Sequence, residues 1–557
     1  MAGGLLNLVA EGANNTIIQG GDSQKTLFKA TYKKITNFGL QKFRIDYDGQ
    51  KDLRTNEQST FTFKMPRYAE LLMDTYVVLT LPHIWSPIYH PCEQTNNKWT
   101  SYDYRWINNI GTHIIKEIEI RCGNFTLQKY SGDYLAAMVE RDFDESKKKL
   151  FYKMSGNDDE LYDPANAFGR ANCYPSAYFT GNTTLGAEPS IRGRKLYIPI
   201  NAWFTLDSKC AFPMTSLQYN ELTISVTLRP IEELFQVRDV FDEVNSYPYV
   251  RPDFTQDRFQ MYRFLQTPPA VVIDRANYPN TSSTWNADIH IMATYCFLSR
   301  EETLAFTREN QVYLVKDIIE YNYENVTGTK KIKVETSGMV SSWMWYLQRN
   351  DVYMRNEWSN YSNWPYRTIP GDIINAPVVG VDPSVTYEND ITRPIGPFIN
   401  PDGKNTGYFI SGDFNVENRK EILETMGILF NGEYRENLLT REVFDYVEKY
   451  TRTKGNATSG IYCYNFCLNS DFREYQPSGA INMSKFKSVE LEISTFVPLF
   501  DLQNYNYQIV CNEDGEVIAT NSPTWRLYEY NYNLKLFEER YNVLSFVGGY
   551  CGLLYAK

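Results

Sequence analysis

The chain has 557 residues, more than one ordinary hydrophobic core organises, so at least two domains are expected. Its 56 Lys and Arg against 67 Asp and Glu leave a net charge of −11, which excludes nucleic acid as the main partner, because phosphate binding needs a cationic face. Hydrophobic residues make up 43% and aromatic ones 15%, with 43 Tyr and 31 Phe, a composition suited to the half-buried surface of β-sheets.

In chain order, residues 1–24 read as an arm carrying Leu5, Leu6, Leu8, Val9, Ile17 and Ile18. No apolar run in it approaches the roughly 20 residues of a membrane span. It lacks the charged start of a signal peptide and has Ala2 where myristoylation needs glycine. A chain made and folded in the cytosol is the expectation. From Lys25 to Ile45 come six basic residues, Lys25, Lys29, Lys33, Lys34, Lys42 and Arg44, and no acidic one. Such a strip suits an acidic surface, or it guards the edge of a strand, where lysines discourage pairing with another chain.

Strict alternation then recurs. Phe61, Phe63 and Met65 alternate with Thr60, Thr62 and Lys64, and Ile118, Ile120 and Cys122 with Glu117, Glu119 and Arg121. Leu222, Ile224, Val226 and Leu228 alternate with Thr223, Ser225 and Thr227, and Val489, Leu491 and Ile493 with Glu490 and Glu492. A period of two with one polar side predicts antiparallel sheets packed face to face. Helical patterning is sparse: Tyr134–Tyr152, Arg300–Gln311 and Asn437–Lys449 read as helices in connections. Residues 153–194 and 362–412 are dense in Gly, Pro, Asn and Asp and read as long surface loops.

Pro248, Pro252, Pro268, Pro269 and Pro279 mark a connector in mid-chain. The division predicted is an arm at 1–24, a first sandwich at 25–240, a linker at 241–280 and a second sandwich at 281–557. A short echo, ELTIS at Glu221–Ser225 and ELEIS at Glu490–Ser494, hints at a duplicated fold.

Chemistry-bearing motifs are missing. His83, His90, His113 and His290 show no metal-ligand spacing, and the nine cysteines form no paired CxxC, so they read as reduced core fillers. No catalytic, cofactor or metal site is expected, and the chain is not read as an enzyme. Asp158-Asp159-Glu160 reads as a solvated acidic loop. Among the Asn-x-Ser/Thr sequons, Asn182 and Asn456 fall in predicted loops and are the candidates for glycosylation.

Several segments resemble the major capsid proteins of nucleocytoplasmic large DNA viruses. Thr26-Leu27-Phe28-Lys29, Tyr32 and Thr36-Asn37-Phe38 follow that family's opening, although Leu27 stands where an aromatic is usual. The resemblance continues through MPRYAELLMDTYVVLTLP, KMSGND (Lys153–Asp158) and LYIPINAWFTLDSKCAFPMTSLQYNELTISVTLRP (Leu196–Pro230). RNDVYMRNEWSNYSNW (Arg349–Trp364) and NVLSFVGGYCGLLY (Asn542–Tyr555) look like its second-domain markers. The resemblance implies an all-β double jelly roll, two eight-stranded sandwiches with long loops and a few short helices. It further implies a homotrimer with a pseudo-hexagonal outline that tiles an icosahedral shell. Neighbouring capsomers and minor capsid proteins would be its partners, with no cofactor and no direct nucleic acid. The N-terminal end would then lie at the base of the shell, so that the basic strip faces an internal membrane or acidic minor proteins. The competing readings are a membrane scaffold of the same fold and a glycan-binding protein using the aromatic residues of Trp358–Trp364.

Overall fold

The computed structural model describes residues 28–555 except 31, 50–51, 90–99, 179–185, 243–244, 246, 270–272, 369–395, 400–404, 411–418, 457, 472–475, 500–507, 512–516, 522–524 and 528. The apolar arm, Lys25, Asn182 and most of the 362–412 segment lie outside the described residues.

Among the described residues, besides shorter strands, eight build the two main sheets of the first half: β1 (Phe38–Asp46), β2 (Ser59–Lys64), β3 (Leu71–Thr80), β4 (Ile115–Cys122), β5 (Phe125–Tyr130), β6 (Lys195–Pro199), β7 (Leu222–Leu228) and β8 (His290–Leu298). One sheet runs β1-β8-β3-β6 and the other β2-β7-β4-β5, with antiparallel neighbours throughout. The second half repeats the plan with β9 (Gln311–Tyr323), β10 (Thr329–Lys333), β11 (Met339–Arg349), β12 (Leu423–Phe430), β13 (Glu433–Thr440), β14 (Ile461–Asn465), β15 (Val489–Thr495) and β16 (Tyr532–Val547). Its sheets run β9-β16-β11-β14 and β10-β15-β12-β13. In each half the first strand pairs with the eighth and the second with the seventh, which is the jelly-roll order. A last strand, β17 (Tyr550–Leu553), folds back on β16.

Alternation explains the sheets strand by strand. Phe61 and Phe63 of β2 face Val226 and Ile224 of β7, and these face Ile118 and Ile120 of β4, so the apolar sides form one continuous inner surface. The polar sides answer with hydroxyl pairs, Thr60 with Thr227 and Thr62 with Ser225, both at 3.0 Å. The ELTIS and ELEIS echo falls on β7 and β15, the seventh strand of each sandwich, and the two share one alternating burial pattern.

β11 departs from alternation: MVSSWMWYLQR is buried almost throughout. Trp343, Trp345 and Leu347 point into the second sandwich's own core, while Met344 and Tyr346 pack with the core of the first. β14 divides in the same way, Tyr462 and Tyr464 inward and Ile461 and Cys463 toward the first sandwich. The sheet is therefore covered on both faces at β11 and β14, which is why these two strands are buried almost throughout.

Several sequence expectations need correction. β8 lies beyond residue 281, where the second sandwich was expected to begin, yet it completes the first sheet between β1 and β3. Residues 241–280 are not a free linker: Phe259, Met261 and Phe264 are buried in the first core. The Tyr134–Tyr152 helix is two helices, α1 (Gly132–Asp142) and α2 (Glu145–Ser155), because Asp144 caps the second by accepting from Lys147 N at 2.7 Å. The helix expected over 437–449 begins as strand β13 and turns helical from Arg441. Within 153–194, Leu161, Ala177 and Ile191 are buried, so that connection is packed down rather than a free surface loop. α3 (Arg300–Arg308) forms as expected, capped by Ser299.

Candidate functional site

The densest chemistry in the molecule lies where the sandwiches meet. α1 leaves β5 and crosses onto the outer face of the second sandwich's inner sheet. Ser131 caps it by accepting from Tyr134 N, and its last turn carries Arg141, which has no exposed surface. Arg141 donates to Asp142 through Nε at 2.8 Å and Nη2 at 2.6 Å, to Glu539 Oε1 at 2.7 Å and to Ser342 Oγ at 3.1 Å. Glu539, on β16, also accepts from Tyr134 OH at 2.9 Å and Ser342 Oγ at 2.9 Å, with Lys316 Nζ at 3.4 Å. Burial alone would push the Glu539 carboxyl up, but Arg141, Lys316 and Ser342 together hold it down at about 2. The close approach depends on Gly455: its N–H donates to the Arg141 carbonyl, and a Cβ there would collide with that oxygen.

A second network begins at the other end of α1. Asp133 accepts from His113 Nδ1 at 2.9 Å and Lys535 Nζ at 2.7 Å, while Lys535 also reaches Glu320 at 3.3 Å. Burial opposes its charge, but Lys535, the His113 hydrogen bond and Arg229 hold its carboxyl well below the usual range. His113 Nε2 lies 2.9 Å from Ser359 Oγ. Ser359, His113 and Asp133 thus follow the order of a nucleophilic triad. However, Ser359 is only 7% exposed and His113 0%, and Asp133 is committed to Lys535, so no substrate reaches the hydroxyl. The arrangement ties residues of the two sandwiches together.

The third network is the Arg349–Trp364 segment itself. Asp351 takes a bidentate grip from Arg349, at 2.9 and 2.6 Å, and a second from Arg355, at 3.1 and 2.9 Å. Arg355 also donates to the carbonyls of Trp525 and Pro365, each at 2.7 Å, and Arg349 lies 3.5 Å over the Tyr530 ring. Two flanking guanidinium groups hold the buried Asp351 carboxyl far below its usual range, although desolvation pulls the other way. This rigid turn then clasps the first sandwich. Asn356 donates to the carbonyls of Glu232 and Phe235, Trp358 Nε1 donates to that of Glu233, and the Arg229 guanidinium lies 4.2 Å from the Trp358 ring.

The joint absorbs the aromatic residues read as a sugar platform. Trp358 is engaged with Arg229, Tyr361 packs on Tyr346 at 4.6 Å, and Asn360 of the sequon there is fully buried. The remaining expected site residues scatter. Lys29, Lys33, Lys34 and Lys42 are exposed, the first three before β1 and Lys42 on it, and β1 is an edge of its sheet. Arg44 departs from the strip: it is paired with Asp46 at 2.8 Å and Asp288 at 2.6 Å. Asn456 is exposed, but its side chain bridges Lys148 at 3.1 Å and Glu145 at 2.7 Å, contacts a glycan would break. Asp158 and Glu160 are not simply solvated, for both are gripped by Arg194. Among the described residues no group of His, Cys, Asp and Glu is placed to hold a metal ion, and no helix is long and apolar enough to cross a membrane.

Sequence reasoning missed Arg141, Asp133, Asp351 and Glu539. For Asp351 the available signal was a charge embedded in an apolar stretch, WMWYLQRNDVYM.

Comparison with known proteins follows the same two-part division. A family described as "Major capsid protein N-terminus" matches residues 26–265, and "Large eukaryotic DNA virus major capsid protein" matches 302–552. The major capsid proteins of Phaeocystis pouchetii virus and of Paramecium bursaria Chlorella virus 1 are each 23% identical, with 100% of both chains covered in each case. Among solved structures, the Faustovirus major capsid protein superposes with a TM-score of 0.60 at 12% identity, covering 98% of this chain and 99% of that one. The quasi-atomic capsid of PBCV-1 gives 0.58 at 17% identity, covering 96% and 100%.

Proposed function

The chain belongs to the major capsid proteins of large eukaryotic DNA viruses, and on that footing we propose that it is a purely structural subunit whose homotrimers tile an icosahedral virion shell. The observation that carries this reading is the repeated jelly roll with a buried ionic joint. Two like sandwiches fixed rigidly side by side give three copies the outline of a hexagon, which packs without gaps. A flexible linker would not hold that outline. The partners are then two further copies, neighbouring capsomers and minor capsid proteins, and the chain carries no catalytic role. Native mass measurement should return three times 64.9 kDa. Trimer closure buries large obligate interfaces, roughly 2,000 Å² or more each, so the assembly should persist on dilution. A monomer whose mass does not change with concentration ends the proposal.

The basic strip adds an orientation. Lys29, Lys33 and Lys34 are exposed on the segment leading into β1, and we assign them an anionic lipid surface or acidic minor proteins at the base of the shell. Arg44 is left out, since Asp46 and Asp288 already neutralise it. Each lysine near a charged membrane contributes at most about 1 kcal/mol, so replacing all three by Gln should weaken vesicle binding by on the order of a hundredfold at low salt. The trimer mass should stay unchanged. If the triple variant binds anionic vesicles like the parent, the lysines only protect the edge strand β1.

A further inference from the structure

The C-terminal hairpin of the second sandwich docks on the first. Its turn, Gly548-Gly549, has φ of 60° and 84°, and Gly549 O accepts from Gln218 N at 3.0 Å. The Tyr550 ring stacks on Tyr219 at 4.9 Å. This docking carries Cys551, on β17, to Cys122, the last residue of β4. Both side chains are buried in the same apolar cluster, and each thiol is the largest influence on the other's proton affinity, lowering it at Cys122 and raising it at Cys551. Cys122 and Cys551 are both free thiols, one from each sandwich.

We propose that Cys122 and Cys551 are a disulfide-forming pair that staples the C-terminal hairpin to the first sandwich when the protein meets an oxidising thiol pool. The oxidant is a small-molecule disulfide such as oxidised glutathione. The Cys122 thiolate attacks one of its sulfurs, forming a mixed disulfide and releasing one glutathione thiol. Cys551 then loses its proton, attacks the Cys122 sulfur, forms the S–S bond and releases the second glutathione. Two protein thiols lose two protons and two electrons, and one glutathione disulfide becomes two thiols. The roles follow from the local field: the Cys551 donor and Asn220 hold the Cys122 thiol below its usual range, and the same contact pushes Cys551 up. In a reducing cytosol the pair stays open; once oxidised, the loop that closes spans most of the chain, where cross-links restrict the unfolded state most.

The test uses the full chain, reduced and then equilibrated with mixtures of oxidised and reduced glutathione. One arm is native and the other contains sub-denaturing urea, which lets the hairpin open so that burial of the thiols does not decide the result. After alkylation and proteolysis, a peptide joining Cys122 to Cys551, lighter by two hydrogens, is expected in the urea arm at least. The oxidised protein should melt several degrees higher than the reduced one. Cys551→Ala should abolish both effects, with the reduced form of the same variant as its melting baseline, whereas Cys173→Ser, at an exposed thiol, should abolish neither. Recovery of Cys122 and Cys551 as separately alkylated peptides in both arms overturns the proposal. So does cross-linking of Cys551 only to some other cysteine.

Discussion

Replacing Arg141 by Met should destabilise the protein by about 3–5 kcal/mol, because it strips the main counter-charge from two buried carboxylates. Asp142 and Glu539 would share only Lys316, whose Nζ lies at 3.4 Å from Glu539, and Ser342 and Ser470 are neutral. Met fills nearly the same length, so loss of packing is a small part of the effect. The penalty should appear in denaturant unfolding and as accelerated proteolysis around α1. The carboxylates, rather than the missing side chain, are the stated cause, so Arg141→Met combined with Glu539→Gln should cost less than the two single changes summed. Strict additivity of the pair, or a single-variant loss within about 1 kcal/mol, would remove Arg141 from the centre of the joint.

Asp351→Asn should cost a similar amount, about 3–5 kcal/mol, by the opposite route. Arg349 and Arg355 would then face one neutral amide, two buried guanidinium groups without their shared counter-charge. The damage should also spread in a defined direction. The 351–358 turn presents Asn356 and Trp358 to the carbonyls of Glu232, Glu233 and Phe235, so amide exchange should quicken in 229–238 of the other sandwich. Exchange that quickens only within the second sandwich would show that the clasp does not depend on this ion cluster. Arg349→Lys is a useful companion, since a point charge cannot reproduce the two-pronged contact.

Much of the fold was legible because half-buried strands write their burial into a period of two. β2, β4, β7 and β15 could be read directly, and the shared ELxIS run pointed to two strands that prove equivalent in the two sheets. β13 was misread for the same reason: it is exposed on both sides at an edge, so ENLLT carries no alternation to set against its helical propensity. The allegiance of β8 was hidden for another reason. Pairing of His290–Leu298 with Phe38–Asp46 is a long-range choice that composition does not encode, whereas the prolines before it are conspicuous. The joint was the least legible feature. Arg141 and Glu539 are separated by 398 positions, and each, read locally, looks like an ordinary solvated charge. The family resemblance suggested two fused sandwiches but not the ions that fix them together.

The pairing of first strand with eighth in each sandwich sets the timing of synthesis. While the ribosome is still adding residues up to Leu298, β1 has only a bare edge where β8 will insert between it and β3. β9 likewise waits for β16, near the very end of the chain. Native contacts of such wide sequence separation form slowly and leave apolar strands uncovered meanwhile. The nascent chain thus exposes apolar strands until those late partners emerge, and Glu539, on β16, completes the Arg141 cluster in the same step that closes the second sandwich. Chaperone dependence and sensitivity to translation speed in the final strands are therefore expected, and a truncation before Tyr532 would remove β16 from the second sandwich and Glu539 from the joint.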